Sequence, residues 1–183
     1  MQVRSWAPLH VRGLVLLEFL VAGCVLALLS ALAIPSFKAI SERLKLRSAV
    51  DELTFSLYAA RAEAYKRGGH VTFAKRNQAD CEASADGSQW GCGWIAFADE
   101  DENGKQEEGE QLLFVGQPPA GIDLKPTDDQ LSALKLNAWG QFNGLGAFGF
   151  VLSSRADKGV VSAICVSSGG RLRNVPGKDR CQS

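Results

Sequence analysis

The chain has 183 residues, of which 46% are hydrophobic and 22% are charged. This length allows one ordinary domain, and the composition excludes wholesale disorder and a membrane protein with many spans. The net charge is zero, but residues 38–78 hold nine bases and four acids, residues 79–130 hold two bases and thirteen acids, and residues 131–183 hold seven bases and two acids. Such separation indicates surfaces of opposite charge that meet different partners.

The N-terminus combines a short basic segment with a long apolar one. Residues 1–13 carry two arginines, and residues 14–34 are apolar except for Glu18 and Ser30. As a helix, residues 14–34 would span about 32 Å, enough to cross the hydrocarbon core of a bilayer. The arginines predict that the N-terminus stays in the cytoplasm and that the rest of the chain lies outside.

Glu18 is unusual in this segment, because an unpartnered carboxylate at the middle of a bilayer costs about 2.5–3.5 kcal/mol. Cleavage between Gly13 and Leu14 would create an α-amine four residues before Glu18. That amine, in the same chain or in a neighbour, would neutralise the carboxylate and set the register of packed helices. Two simpler interpretations are a signal peptide cut after Ala33 and an uncut signal anchor.

The basic leader, Gly13, Glu18, the apolar run and Pro35 together resemble a type IV prepilin signal. The resemblance implies cleavage after Gly13 by a prepilin peptidase, N-methylation of Leu14 and assembly into a helical filament from the bacterial inner membrane. Pilins commonly have phenylalanine where this chain has Leu14, which keeps the apolar character. The protein is expected to cross the inner membrane once before assembly and to lie in a periplasmic or extracellular filament afterwards.

Apolar residues after Pro35 recur at spacings of three and four, which predicts an amphipathic helix ending near Arg67, before Gly68 and Gly69. Pro35 itself predicts a kink or a brief unwinding. The apolar positions form two runs, first Phe37, Ile40 and Leu44, and then Val50, Leu53, Leu57, Ala60 and Ala64.

From His70 onward, short apolar runs between glycine and proline clusters predict strands. Strands that follow a single helix favour an α+β fold with antiparallel sheets. The predicted strands cover residues 70–75, 93–98, 111–115, 121–125, 133–137, 147–153, 159–166 and 170–175.

Four segments are therefore expected: a leader over 1–13, a transmembrane or filament-core helix over 14–34, the amphipathic part of the helix over 35–68, and a β-rich head over 69–183. The motifs in residues 60–64, 93–97, 142–146 and 170–171 resemble, in order and spacing, the FimT/GspH family of minor pilins and pseudopilins. The fold implied by this family is a long N-terminal helix packed on antiparallel β-sheets.

The five cysteines divide into Cys24 in the apolar run and four in the head. Four cysteines allow three pairings, among which the sequence does not choose. We favour Cys81–Cys92 and Cys165–Cys181, because each pair closes a short loop that contains turn-forming residues. The alternative is reduced cysteines in a cytosolic fold, but the export signal favours an oxidising compartment.

The C-terminal segment carries closely spaced bases. Arg171 and Arg173 on a strand would project to the same side about 6.6 Å apart, and Lys178 and Arg180 follow. Paired guanidinium groups bind phosphate oxygens, and the scarcity of aromatic residues predicts backbone contacts to double-stranded DNA without sequence preference. The alternative is a solvated edge strand protected by charge. The Gly-Arg-x-Arg pattern also resembles the tail of FimT-like minor pilins, which implies DNA capture during natural transformation.

Residues 99–110 match the spacing of a calcium loop, with oxygen-bearing side chains at its first, third, fifth and twelfth positions and glycine at its sixth. Flanking strands and Gln106 at the eighth position instead favour a solvated acidic hairpin.

Only His10 and His70 could serve as histidine bases, and no cluster of catalytic or metal-ligating residue types is visible. We therefore expect no enzymatic activity, no metal site and no cofactor.

These observations predict a minor pilin that enters or primes a type IV pilus and contacts other pilin or pseudopilin subunits. The arginine tail is predicted to bind DNA. The alternative is an H-type minor pseudopilin of a type II secretion system, which would contact tip subunits or exported proteins. Four aromatic residues are expected in the core: Trp94, Phe97, Phe148 and Phe150.

Overall fold

The computed structural model describes residues 12–77, 90–144 and 146–181. The chain divides into two compact units, Met1–Ile40 and Ser41–Ser183. One helix, α1, covers Arg12–Arg67 and continues through Pro35 without a break, so the brief unwinding predicted there is not observed. A proline removes one donor from the helical ladder, and the remaining hydrogen bonds are enough for the helix to continue.

Apolar side chains of α1 are exposed in the first unit. They are Leu16, Leu17, Phe19, Leu20, Val21, Val25, Leu26, Leu28 and Leu29. Glu18 among them is exposed as well. Across the residues that the structure describes, none of the helices combines the length and the apolar character needed to cross a membrane.

One face of α1 in the second unit is buried in the core of the head, through Leu46, Ala49, Val50, Leu53, Leu57, Ala60 and Ala64. Phe37, Ile40 and Leu44 were expected on this face but are exposed. The step of six residues from Leu44 to Val50 turns a helix by about 240°, so the earlier apolar residues belong to a different side of α1.

In the part of the chain that the structure describes, eight strands form two antiparallel four-stranded sheets, with strand orders β3-β2-β1-β5 and β4-β6-β7-β8. Every predicted strand is present, with bounds shifted by two residues at most. The strands are β1 Val71–Lys75, β2 Trp94–Ala98, β3 Leu112–Gly116, β4 Ile122–Pro126, β5 Ala133–Leu136, β6 Phe148–Ser154, β7 Val161–Val166 and β8 Leu172–Pro176.

Aromatic side chains fill the core of the head. Phe73 on β1 stacks on Trp90 and Trp94, with ring centroids 5.8 and 6.3 Å apart. Trp90 begins a short 3₁₀ helix, Trp90–Cys92, and its indole donates a hydrogen bond of 2.9 Å to the Leu131 carbonyl. The four predicted core aromatics, Trp94, Phe97, Phe148 and Phe150, are all buried.

Candidate functional site

The C-terminal arginines lie at an edge of the second sheet, because β8 is its last strand. Arg173 lies on β8 in register with Cys165 of β7, and Arg171 directly precedes the strand. Both arginine side chains are exposed, whereas Leu172 between them packs against the core. This alternation gives the two guanidinium groups a common side, as predicted for a strand.

Three of the four predicted bases, Arg171, Arg173 and Arg180, line one cleft of about 580 Å³, which we call the arginine cleft. None of the described residues that line it is acidic. Lys178 is exposed but does not line the cleft, and Asp179 pairs with Arg180 at 3.4 Å. Arg171 and Arg173 therefore give the cleft most of its positive charge, and the pair with Asp179 offsets part of the charge of Arg180. Its other lining residues are Thr127, Ala147, Phe148, Cys165, Val166, Ser167 and Cys181.

The disulfide Cys165–Cys181, one of the two favoured pairings, is present and forms part of the cleft. Since Arg180 directly precedes Cys181, the bond holds Arg180 beside β7. Cys165 is also the register partner of Arg173. The bond thus brings bases from the strand and from the tail to the same place.

Gly149 on β6 makes room for this disulfide. It lies in register with Cys165, and a Cβ atom at this position would stand 2.5 Å from Sγ of Cys181 and 2.6 Å from the carbonyl oxygen of Ile164. Real Cβ atoms do not approach other atoms so closely. Glycine at this position is therefore needed for the tail to reach β7.

Two further cysteines, Cys92 and Cys24, lie within the described residues. Cys92 is disulfide-bonded, and its predicted partner Cys81 lies outside the described residues. Cys24 on α1 is an exposed free thiol.

Arg61 on α1 binds the turn that carries the arginine pair. Its guanidinium donates from Nη1 to the carbonyl oxygen of Gly170 at 2.8 Å and from Nε to that of Gly140 at 2.7 Å. Gly170 closes the β7–β8 turn with φ +77°, and its N–H donates to the Ser167 carbonyl at 2.8 Å. Arg61 entered the sequence-based prediction only through a family motif, because its partners lie 79 and 109 residues away.

The acidic loop between β2 and β3 is organised by Asp99, which is buried. Its carboxylate accepts hydrogen bonds from the Thr72 hydroxyl at 2.5 Å and from the N–H groups of Asn103 and Gly104 at 3.0 and 2.9 Å. Asp101 also accepts hydrogen bonds from Asn103, and the one from its backbone N–H contributes most to lowering the pKa of the Asp101 carboxyl.

Three positions of the predicted calcium-loop spacing come together in this hairpin. Carboxylate oxygens of Asp99, Asp101 and Glu110 lie within 4.8 Å of one another. However, donors of the loop itself already bind the first two, and Glu110 accepts a hydrogen bond from the Glu107 N–H at 2.9 Å. Lys135 adds a positive charge by donating to the Glu102 carbonyl. These contacts favour the acidic-hairpin interpretation.

The residues predicted to act in processing and assembly lie at the start of α1. Gly13 and Leu14 fall in its first turn, and Glu18 lies about one turn later. Their roles stay predictions, and the leader before Arg12 lies outside the described residues.

The sequence matches a known protein family over most of the head. Residues 49–170, more than half of the chain, match the family described as type II transport protein GspH. A comparison with curated proteins finds no match.

Two crystal structures of the type IV minor pilin FimU from Pseudomonas aeruginosa have a similar fold. One is 22% identical, with a TM-score of 0.56, and the alignment covers 79% of this chain and 98% of that FimU chain. The other is 20% identical, with a TM-score of 0.53, and the alignment covers 75% of this chain and 98% of that FimU chain. At these identities the similarity concerns the fold, a long helix packed on antiparallel sheets.

Proposed function

Because this chain belongs to the GspH family of minor pilins and pseudopilins, we propose that it enters or primes a type IV pilus and that its arginine cleft binds DNA during uptake. Subunits of this family are anchored in a membrane, become part of a filament and contact other pilin subunits.

The observation that carries the DNA-binding proposal is the meeting of three arginines in a cleft with no acidic side chain among its described lining residues. Each guanidinium group can bind two phosphate oxygens at once, and each phosphate that is neutralised in this way releases a counterion. The Cys165–Cys181 bond and the Arg61 contact to Gly170 hold the arginines before a ligand arrives. Such preorganisation lowers the ordering cost of binding.

Binding of the full-length protein in detergent to duplex DNA tests this proposal directly. The double variant Arg171→Ala, Arg173→Ala should bind more weakly than the unchanged protein. Duplex binding that is unaffected by the double substitution would show that the cleft is not the site.

The exposed apolar residues of α1 support the assembly part of the proposal. Nine large apolar side chains between Leu16 and Leu29 are exposed, and a surface of this kind needs lipid or other subunits to cover it. Glu18 lies within this surface. A new α-amine at Leu14 would give its carboxylate a partner when the helices pack.

Mass spectrometry of the mature protein tests the processing step. The proposal expects that the chain is inserted into the inner membrane, that a prepilin peptidase then cleaves it after Gly13, and that the mature chain begins at N-methylated Leu14. A chain that begins at Ile34 or Met1 would contradict it.

In cells, Glu18→Gln should reduce incorporation into filaments, and Ser30→Ala, which alters the other polar residue of the segment, should not.

A minor pseudopilin of a type II secretion system is the second candidate, and the description of the matched family favours it. In that case the head would contact tip subunits or exported proteins. A deletion strain separates the two candidates, because loss of transformation indicates the pilus and loss of protein secretion indicates the secretion system.

A further inference from the structure

Trp139 is a large aromatic residue that the predicted site does not include. Its side chain is 77% exposed on the loop 137–141, which follows β5. Asn137 holds this loop: its Oδ1 atom accepts hydrogen bonds from the N–H groups of Trp139 and Gln141 at 3.0 and 2.9 Å, and its carbonyl accepts one from Gly140 at 2.9 Å. The indole is therefore presented to solvent from a fixed backbone.

Two contacts place this loop beside the arginine cleft. The guanidinium of Arg61 joins the carbonyl oxygens of Gly140, which follows Trp139, and of Gly170, which precedes Arg171. On the other side of the loop, Phe142 packs edge-on against Phe148, with ring centroids 5.1 Å apart, and Phe148 lines the cleft. The indole and the arginines thus belong to adjacent segments that are tied together at two points.

We propose that Trp139 and the arginine cleft form one surface for DNA with unpaired bases, a refinement that rests on the proposed DNA-binding function. The arginines would bind the phosphates, and the indole would stack on a base. Bases inside a duplex already stack on one another, so a single-stranded segment offers the indole a face that the duplex interior does not. Stacking tolerates any base, because every base has a π-face.

This arrangement changes the expected ligand. The scarcity of aromatic residues in the C-terminal segment predicts contacts to the backbone of double-stranded DNA and no stacking. The fold supplies an aromatic residue from a different part of the chain. Single-stranded DNA should therefore bind more tightly than the duplex, still without sequence preference.

Fluorescence anisotropy with the full-length protein in detergent tests the inference. The probes are a labelled oligothymidylate of about 12 nucleotides and a labelled blunt-ended duplex of about 12 base pairs, which contains no unpaired bases. Trp139→Leu should weaken single-strand binding about tenfold and leave duplex binding unchanged. Trp139→Phe keeps a ring and should restore most of the affinity. Phe55→Leu, which alters an exposed aromatic residue of α1, is the matched control.

The possible outcomes separate this inference from the proposed function. If Trp139→Leu leaves single-strand binding intact while the double arginine variant weakens it, the cleft binds DNA and the stacking role is wrong. An equal loss of single-strand and duplex binding in Trp139→Leu also overturns the stacking role. If the unchanged protein binds neither probe, the proposed DNA-binding function itself fails. If Trp139→Leu impairs only filament incorporation, the indole is a subunit contact and the inference is wrong.

Discussion

Arg61 and Gly170 are joined by a hydrogen bond of 2.8 Å between Nη1 of the guanidinium and the carbonyl oxygen of the glycine. The same guanidinium binds the carbonyl of Gly140 at 2.7 Å. One side chain of the long helix therefore fixes both the turn that carries the tail arginines and the loop that carries Trp139. The helix and the candidate binding surface are mechanically connected at this residue.

Arg61→Ala should destabilise the head by about 1–3 kcal/mol, because two partly buried carbonyl groups lose a charged donor. Urea denaturation measures the change in the free energy of unfolding. The control is Arg47→Ala, since Arg47 is an exposed arginine of the same helix whose Nε lies 3.9 Å from the Asp51 carboxylate. Its loss should change stability by no more than about 0.5 kcal/mol. Equal effects of the two substitutions would show that the Arg61 contacts have no special role.

Gly149→Ala should cost about 1–3 kcal/mol, because the added methyl group would stand 2.5 Å from Sγ of Cys181 and 2.6 Å from the Ile164 carbonyl. Thermal unfolding and the count of free thiols both report the effect, since strain at this position also disfavours the disulfide. Gly146→Ala is the matched control, because a Cβ atom there meets nothing within 4 Å. If both variants unfold at the same temperature, the close approach at Gly149 is not a constraint.

Replacing both Cys165 and Cys181 by alanine should lower stability by about 3 kcal/mol on the chain-entropy model for a loop of this size. The change should also weaken DNA binding, because Arg180 is no longer held beside β7. The salt dependence of binding should then correspond to about one phosphate contact fewer. Reduction of the unchanged protein should weaken DNA binding in the same way, and it should lower stability further because it also opens the disulfide of Cys92. Binding with the same salt dependence in the bridged and unbridged proteins would mean that Arg180 does not take part.

The stability of the head should depend on pH through Glu42. Lys45 and Ser154 donate hydrogen bonds of 2.8 and 2.6 Å to its carboxylate, and these contacts, that of Lys45 first, hold the pKa of Glu42 below its ordinary value of 4.5. A carboxyl with a lowered pKa in the folded state stabilises the fold above pH 4.5, and this contribution is lost as the pH falls through the folded-state pKa. Glu42→Gln should therefore flatten the acid side of the stability profile measured by urea denaturation between pH 3 and 7, at about one-unit steps. If the free energy of unfolding depends on pH in the same way in the unchanged protein and in Glu42→Gln, Glu42 does not have this role.

The strands could be predicted from the sequence because their information is local. Alternating apolar residues bounded by glycine and proline place β6 and β7 within two residues of their observed bounds, Phe148–Ser154 and Val161–Val166. The order of strands could not be predicted in the same way. The pairing of β1 with β5 joins residues about 60 positions apart, and no local pattern records it.

The candidate site likewise combines residues that a local motif identifies with residues that only the fold brings together. Arg171 and Arg173 are visible as a motif, because their spacing on a strand implies a common side. Arg61 and Trp139 are not visible in this way, because their relation to the tail arises only when α1, the loop 137–141 and the β7–β8 turn meet. The role of Gly149 likewise depends on a cysteine 32 positions later in the chain.

The salt dependence of duplex DNA binding tests the central claim most directly. For two to four phosphate contacts, a plot of log affinity against log salt concentration should have a slope of about −2 to −4. The double variant Arg171→Ala, Arg173→Ala should lose about two units of that slope. The charge-matched control is Arg155→Ala, Lys158→Ala. It removes two exposed bases that also lie in the basic segment 131–183 but do not line the cleft, and it should keep the slope. If both double variants lose the same amount, binding reflects net charge alone and the arginine cleft is not a DNA site.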